Sequence, residues 1–173
     1  MVLIGPLAQL VEQDTLNVKV VGSTPTWPKK SQKTYLVKNY EILEHTADIR
    51  IRVFADTLND LFINAALAMF DILAEKEHSN KIVVKALIIQ EAIDVEELFI
   101  NWLNELLSLS AVKELIFSEF KINKLTNTSL DIECLGASAS GYRINTEIKA
   151  ATYHGLIIKE VNSGWEAEVV FDV

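Results

Sequence analysis

Ile49-Arg50-Ile51-Arg52-Val53 alternates apolar and charged residues, and Thr57-Leu58-Asn59-Asp60-Leu61-Phe62 follows it almost at once. The first stretch has the period of two that sends alternate side chains of a strand to core and solvent. In the second the period becomes helical. Leu58, Leu61, Phe62, Ala65, Met69, Phe70 and Leu73 recur on one face, as in an amphipathic helix. Thr57 is placed to cap the first turn with its hydroxyl, and Asp60 sits near the positive end of the helix dipole. A half-buried strand feeding an amphipathic helix is a unit of a layered domain.

The rest of the chain adds to that unit. The apolar run over residues 82–89 predicts a well-covered strand. A second helix is expected from Asp94, with Glu97 in its first turn and Val95, Leu98, Phe99, Trp102, Leu106 and Leu109 on its buried side. Strands follow around Leu115–Leu125 and at Leu130, Ile132 and Cys134, which alternate with Asp131 and Glu133. Residues 136–141 read as a small-residue loop. Residues 144–153 and 156–161 read as two strands, or as one broken near Gly155. Asn162-Ser163-Gly164 suits a hairpin connection. The last strand puts Trp165, Ala167, Val169 and Phe171 on one face and Glu166, Glu168 and Asp172 on the other. Trp102, Trp165 and Cys134 belong to apolar patterns and are expected in the core. The simplest arrangement that buries these stripes is a two-layer α+β domain, two amphipathic helices packed on one largely antiparallel sheet.

With 173 residues the chain suffices for one domain and a tail. Its three prolines, Pro6, Pro25 and Pro28, all precede residue 29. Five Lys against Glu12 and Asp14 give residues 1–39 a charge of +3, whereas the remainder carries −11. Pro25-Thr26-Trp27-Pro28 cannot continue a helix and reads as an extended linker. The stretch from Pro6-Leu7-Ala8-Gln9-Leu10-Val11-Glu12 to Gly22-Ser23-Thr24-Pro25 resembles the peptide made when a transfer-RNA gene is translated by mistake. That reading puts the true start near Leu36 or Val37, and the alternative is a mobile tail. Residues 1–35 are therefore expected to be an extension, disordered or a start-site artefact, with the domain at 36–173. The net charge of −8 argues against a non-specific nucleic-acid surface, which needs clustered Lys and Arg. One Cys cannot make an internal disulfide. No apolar run approaches the ~20 residues of a membrane span, and Met1 to Leu10 lacks the basic leader of a signal peptide. A cytoplasmic protein is expected.

Gly-rich phosphate loops, nucleophile elbows, His-Glu-x-x-His helices and zinc-spaced Cys pairs are absent from the sequence. Three polar clusters remain. In Glu44-His45-Thr46-Ala47-Asp48, His45 and Asp48 are spaced to face one site, or serve only to hold a turn. In Lys149-Ala150-Ala151-Thr152-Tyr153-His154, strand alternation sends Lys149, Ala151 and Tyr153 one way and Ala150, Thr152 and His154 the other. Phe171-Asp172-Val173 offers two carboxylates close together, the Asp172 side chain and the α-carboxylate of the last residue. Hard cations such as Ca²⁺ take oxygen ligands, so convergence of Asp48, Asp172 and Val173 would make a cation site. A frayed, solvated terminus is the alternative.

Together these stretches are similar to the archease family. The resemblance is carried by His45-Thr46-Ala47-Asp48, by Leu61-Phe62 through Ala65-Ala66-Leu67-Ala68-Met69-Phe70, and by Trp102-Leu103-Asn104-Glu105-Leu106-Leu107. Ile148-Lys149-Ala150-Ala151-Thr152-Tyr153-His154, Gly164-Trp165 and Asp172-Val173 complete it. It covers Tyr40 to Val173 and nothing before. The resemblance implies a non-catalytic protein that activates an RtcB-type RNA ligase in tRNA splicing, promoting its guanylylation and multiple turnover, with tRNA reached only through the ligase. It also implies a divalent cation, Ca²⁺ or another, held by Asp48, Asp172 and Val173, and a functional Lys149. Lys149, His45 and His154 are candidate contacts to a partner or a phosphate. Two other classes compete. One is a metal-dependent hydrolase with His45 or His154 as general base, and the other is a chaperone that modulates a methylase.

Overall fold

The computed structural model describes residues 18–21, 39–43, 47–78 and 83–173. The chain runs through β1 (Val18–Val21), β2 (Tyr40–Leu43), β3 (Ile49–Ala55), α1 (Leu58–Leu73), β4 (Ala74–Lys76), β5 (Val83–Glu91) and α2 (Val95–Lys113). Strands make up the rest: β6 (Leu115–Leu125), β7 (Ser129–Ser138), β8 (Tyr142–Ile144), β9 (Ala150–Val161) and β10 (Gly164–Asp172). All strand pairs are antiparallel, and the class is α+β as the patterning implies.

Both helices start where their caps predict. Thr57 Oγ1 accepts the Asp60 N–H at 3.1 Å and donates to Asp60 Oδ2 at 2.6 Å. Asp94 Oδ1 accepts the Glu97 N–H at 2.8 Å, while Glu97 Oε2 accepts the Ile93 N–H at 2.7 Å. These reciprocal bonds satisfy backbone donors that a helix start leaves open.

The strands divide between two sheets rather than forming one. One four-stranded sheet has the order β1-β5-β7-β6, the other β2-β3-β10-β9, and β4 pairs with β8 in a short ribbon. α1 packs on β3 and β10 of the second sheet and on β6 of the first, and α2 on β9 of the second and on β5 and β6 of the first. A helix covered from two directions buries more than one stripe. Ala66 and Ala68 of α1, and Ile100, Leu103 and Leu107 of α2, are therefore buried beside the faces read from the sequence. Trp102 lies between the layers, fully buried. Its Nε1–H donates to the Phe62 carbonyl at 3.2 Å, and its ring meets Phe120 edge-on. Trp165 is only partly buried, at the rim of the core.

Two local readings change. Residues 136–138 are strand, and a 3-10 turn follows at Ala139–Gly141. Gly136 is small for packing, not for turning: a Cβ there would stand 2.9 Å from the Phe117 ring. The segment from 144 to 161 contributes one long strand, β9, which begins at Ala150 and passes through Gly155. The leader contributes β1, paired along β5 from Val18↔Ile88 to Val21↔Lys85. The rest of the expected extension, with its boundary near residue 35, lies outside the described residues. Among the described residues no helix is long and apolar enough to cross a membrane.

Candidate metal centre at one end of the sheet

β10 lies between β3 and β9, and its register brings distant segments together. Phe171 pairs with Ile49 on one side, and Asp172 pairs with Ala150 on the other. One residue past the Phe171–Ile49 pair, Asp172 comes opposite Asp48. Lys149 joins them from just ahead of β9: its N–H donates to the Asp172 carbonyl at 2.8 Å and its Nζ to Val173 O at 2.9 Å. Asp48, Asp172 and Lys149 are exposed and Val173 is half-buried.

Neither Asp48 nor Asp172 forms a side-chain hydrogen bond or ion pair with a described residue. Like charges facing each other across two strands repel, and a hard cation between them would relieve the repulsion. The donors suit one: two carboxylates and a main-chain oxygen are the ligand types Ca²⁺ takes. Among the described residues no three His, Cys, Asp or Glu side chains cluster for a metal. The candidate set has two such side chains and draws its third donor from the main chain of Val173.

The two histidines fare differently from the carboxylates. His45 lies outside the described residues, with Glu44 and Thr46. His154 stands on a bulge. β9 pairs Thr152 with Val170 and Ile157 with Glu168, so residues 153–156 face Val169 alone. The expected alternation fails from that point: Ala151 is 3% exposed, whereas Tyr153, in phase with it, is 56% exposed. Burial and the nearby Glu97 and Asp94 carboxylates push the Tyr153 pKa up, which places that ring by the start of α2. His154 is exposed and makes no hydrogen bond to a described residue. Cys134 is fully buried, and burial holds its thiol far above the usual range, so it is no nucleophile.

Asn104 was not among the residues picked out by chemistry. From α2 its Nδ2 donates to the Ala151 carbonyl at 3.0 Å, and its Oδ1 accepts the Ala151 N–H at 2.8 Å. The side-chain amide thus acts as one residue of a further strand against the edge of β9, two positions beyond Lys149. The signal in the sequence was a polar residue set within the apolar run of α2.

The outward face of the same sheet carries an ion cluster. Arg52 Nη2 lies 2.7 Å from Glu168, Nη1 2.7 Å from Glu41 and Nε 3.5 Å from Glu166, which Lys159 also meets at 2.9 Å. The hydrogen bond to Glu168 raises the Arg52 pKa.

Residues 40–173 match the model of the archease protein family. The chain belongs to the archease family. Protein archease from Methanosarcina barkeri is 35% identical over 142 residues, covering 79% of this chain and 97% of that protein. The Pyrococcus abyssi archease is 34% identical over 145 residues, 79% of this chain and all of the relative. Among solved structures, protein 1598 of Methanobacterium thermoautotrophicum superposes with a TM-score of 0.61 at 27% identity, over 79% of this chain and 99% of that one. The Thermotoga maritima protein, described as an archease and possible chaperone, gives 0.53 at 22% identity over 76% and 94%. That last likeness shows a shared fold. The archease match begins at β2, so β1 lies outside it.

Proposed function

We propose that this archease is an accessory activator of an RtcB-type RNA ligase in tRNA splicing, acting in the cytoplasm through a divalent cation, Ca²⁺ or another, held by Asp48, Asp172 and Val173. The observation that carries the reading is the register of β10, which sets two carboxylates, neither with a partner among the described residues, opposite each other at an exposed sheet end. Bound there, a cation would supply positive charge for the phosphates of a ligase nucleotide. The chain's own residues position it: Asp48 just before β3 and Asp172 at the end of β10 present the carboxylates, and Lys149, just before β9, orients Val173. The negative charge of the domain suits docking on a basic RNA enzyme. The hydrolase reading needs a general base beside the metal, and His154, on its bulge, lends it no support. The chaperone reading has the description of the Thermotoga maritima protein as a possible chaperone beside it, and nothing among the described residues points to a methylase.

Ligase guanylylation tests the proposal. Wild-type chain is expected to raise guanylylation and turnover number, and Asp48→Ala to lose both while its circular dichroism and melting stay native. Full stimulation by folded Asp48→Ala would rule the cation site out. No stimulation by wild type would rule out the partner.

A further inference from the structure

Arg50 occupies the outward face one step in from the carboxylates. It pairs with Val170, which pairs in turn with Thr152, so its side chain projects on the same face as Arg52 and Asp172. Arg52 meets three carboxylates. Arg50 meets none: among the described residues it makes no ion pair or hydrogen bond, although Asp48 and Asp172 are its neighbours along and across the sheet. Its guanidinium turns the other way, onto the β9 bulge. A Cβ on Gly155 would stand 2.7 Å from Arg50 Nη2 and 3.4 Å from Cζ, at a φ of +66°. Val170 beneath is almost fully covered despite facing outward. Arg50 is thus held in a notch between sheet and bulge, its N–H donors uncommitted to any described residue. Lys149, the other cation at this end, already donates to Val173.

We infer that Arg50 is the oxyanion contact of this site and binds a phosphate oxygen of a metal-bound polyphosphate. Two carboxylates at the strand ends and, one step in on the same face, a guanidinium with no partner among the described residues are matched by a cation and an extended phosphate counter-ion together. Arg presents a planar fork that suits phosphate and stays charged at any working pH. The inference rests on the proposed cation site, and it moves the phosphate role from Lys149 to Arg50.

Isothermal titration of the full chain with tripolyphosphate, with and without excess Ca²⁺, tests it against Arg50→Gln and Asp48→Asn. Asp48→Asn is expected to lose Ca²⁺ binding. Arg50→Gln is expected to bind Ca²⁺ no more weakly than wild type, because a nearby positive charge has gone. Its affinity for tripolyphosphate should fall about tenfold, the loss of one charge-assisted contact, and in the wild type the Arg50 Nε–H resonance should shift as tripolyphosphate is added. Equal tripolyphosphate affinity in wild type and Arg50→Gln, or no binding by wild type in either condition, overturns the role of Arg50. Unchanged Ca²⁺ binding by Asp48→Asn overturns the cation site instead, and an Arg50-dependent affinity for tripolyphosphate without metal would then still uphold the contact.

Discussion

Asn104 gives both ends of its amide to the main chain of Ala151, so removing it leaves a donor and an acceptor of a half-covered strand without partners. Asn104→Ala is expected to cost about 1–3 kcal/mol in urea denaturation, with faster hydrogen exchange at the Ala151 amide than elsewhere in β9. Unaltered exchange there would mean that another group holds the edge. The adjacent Glu105 works against the fold. One of its carboxylate oxygens is buried with no hydrogen-bond partner, and burial pushes its pKa above the ordinary 4.5. Because the folded pKa is the higher one, ionisation opposes folding. The penalty is complete above the raised pKa and gone below the unfolded value. Glu105→Gln should therefore stabilise the chain at pH 7 by up to ~1 kcal/mol, and the gain should vanish as the pH falls towards 4 in the same denaturation series.

At the scale of elements, β9 does two things at its two ends. Its first residues pair in register with β10 and fix Lys149 beside Val173. Its middle bulges so that residues 153–156 leave the ladder. Gly155 makes the bulge possible, since its left-handed φ is open to glycine and its missing Cβ leaves room for Arg50. Gly155→Ala is expected to destabilise by about 1–2 kcal/mol from backbone strain and the Arg50 contact combined. In an Arg50→Ala background the cost should shrink but persist, because the strain remains when the contact has gone. A vanishing cost would assign the whole effect to the contact.

For the molecule as a whole, every buried hydrophobic residue described lies at or beyond Ile51, while β1 adds only a strand along the rim of β5. A chain starting at residue 36 is therefore expected to keep its circular dichroism and to melt within about 4 °C of the full chain, the shift that ~1 kcal/mol makes. The β5 amides that face β1 should exchange faster, since an uncovered edge strand loses its hydrogen-bond partners. Global unfolding of the shortened chain would show that the leader belongs to the core. The two carboxylates are 124 residues apart in sequence, at positions 48 and 172, and only the pairing of β3 with β10 makes them neighbours.

Element type and boundaries were legible wherever a periodic pattern ran beside a cap: Thr57 and Asp94 mark both helices, and β6 spans the residues its apolar pattern marks. Local patterning decides these because backbone hydrogen bonds and one-sided burial act over a few residues. The partition into two sheets, the bulge at Tyr153 and the turn of Arg50 away from the aspartates were not legible. Each depends on which strand lies alongside which, and that is set by contacts between segments far apart in the chain. The aspartates could be named from the sequence as members of a family motif. That they face each other is a consequence of one residue of register between β3 and β10, which no short-range pattern encodes.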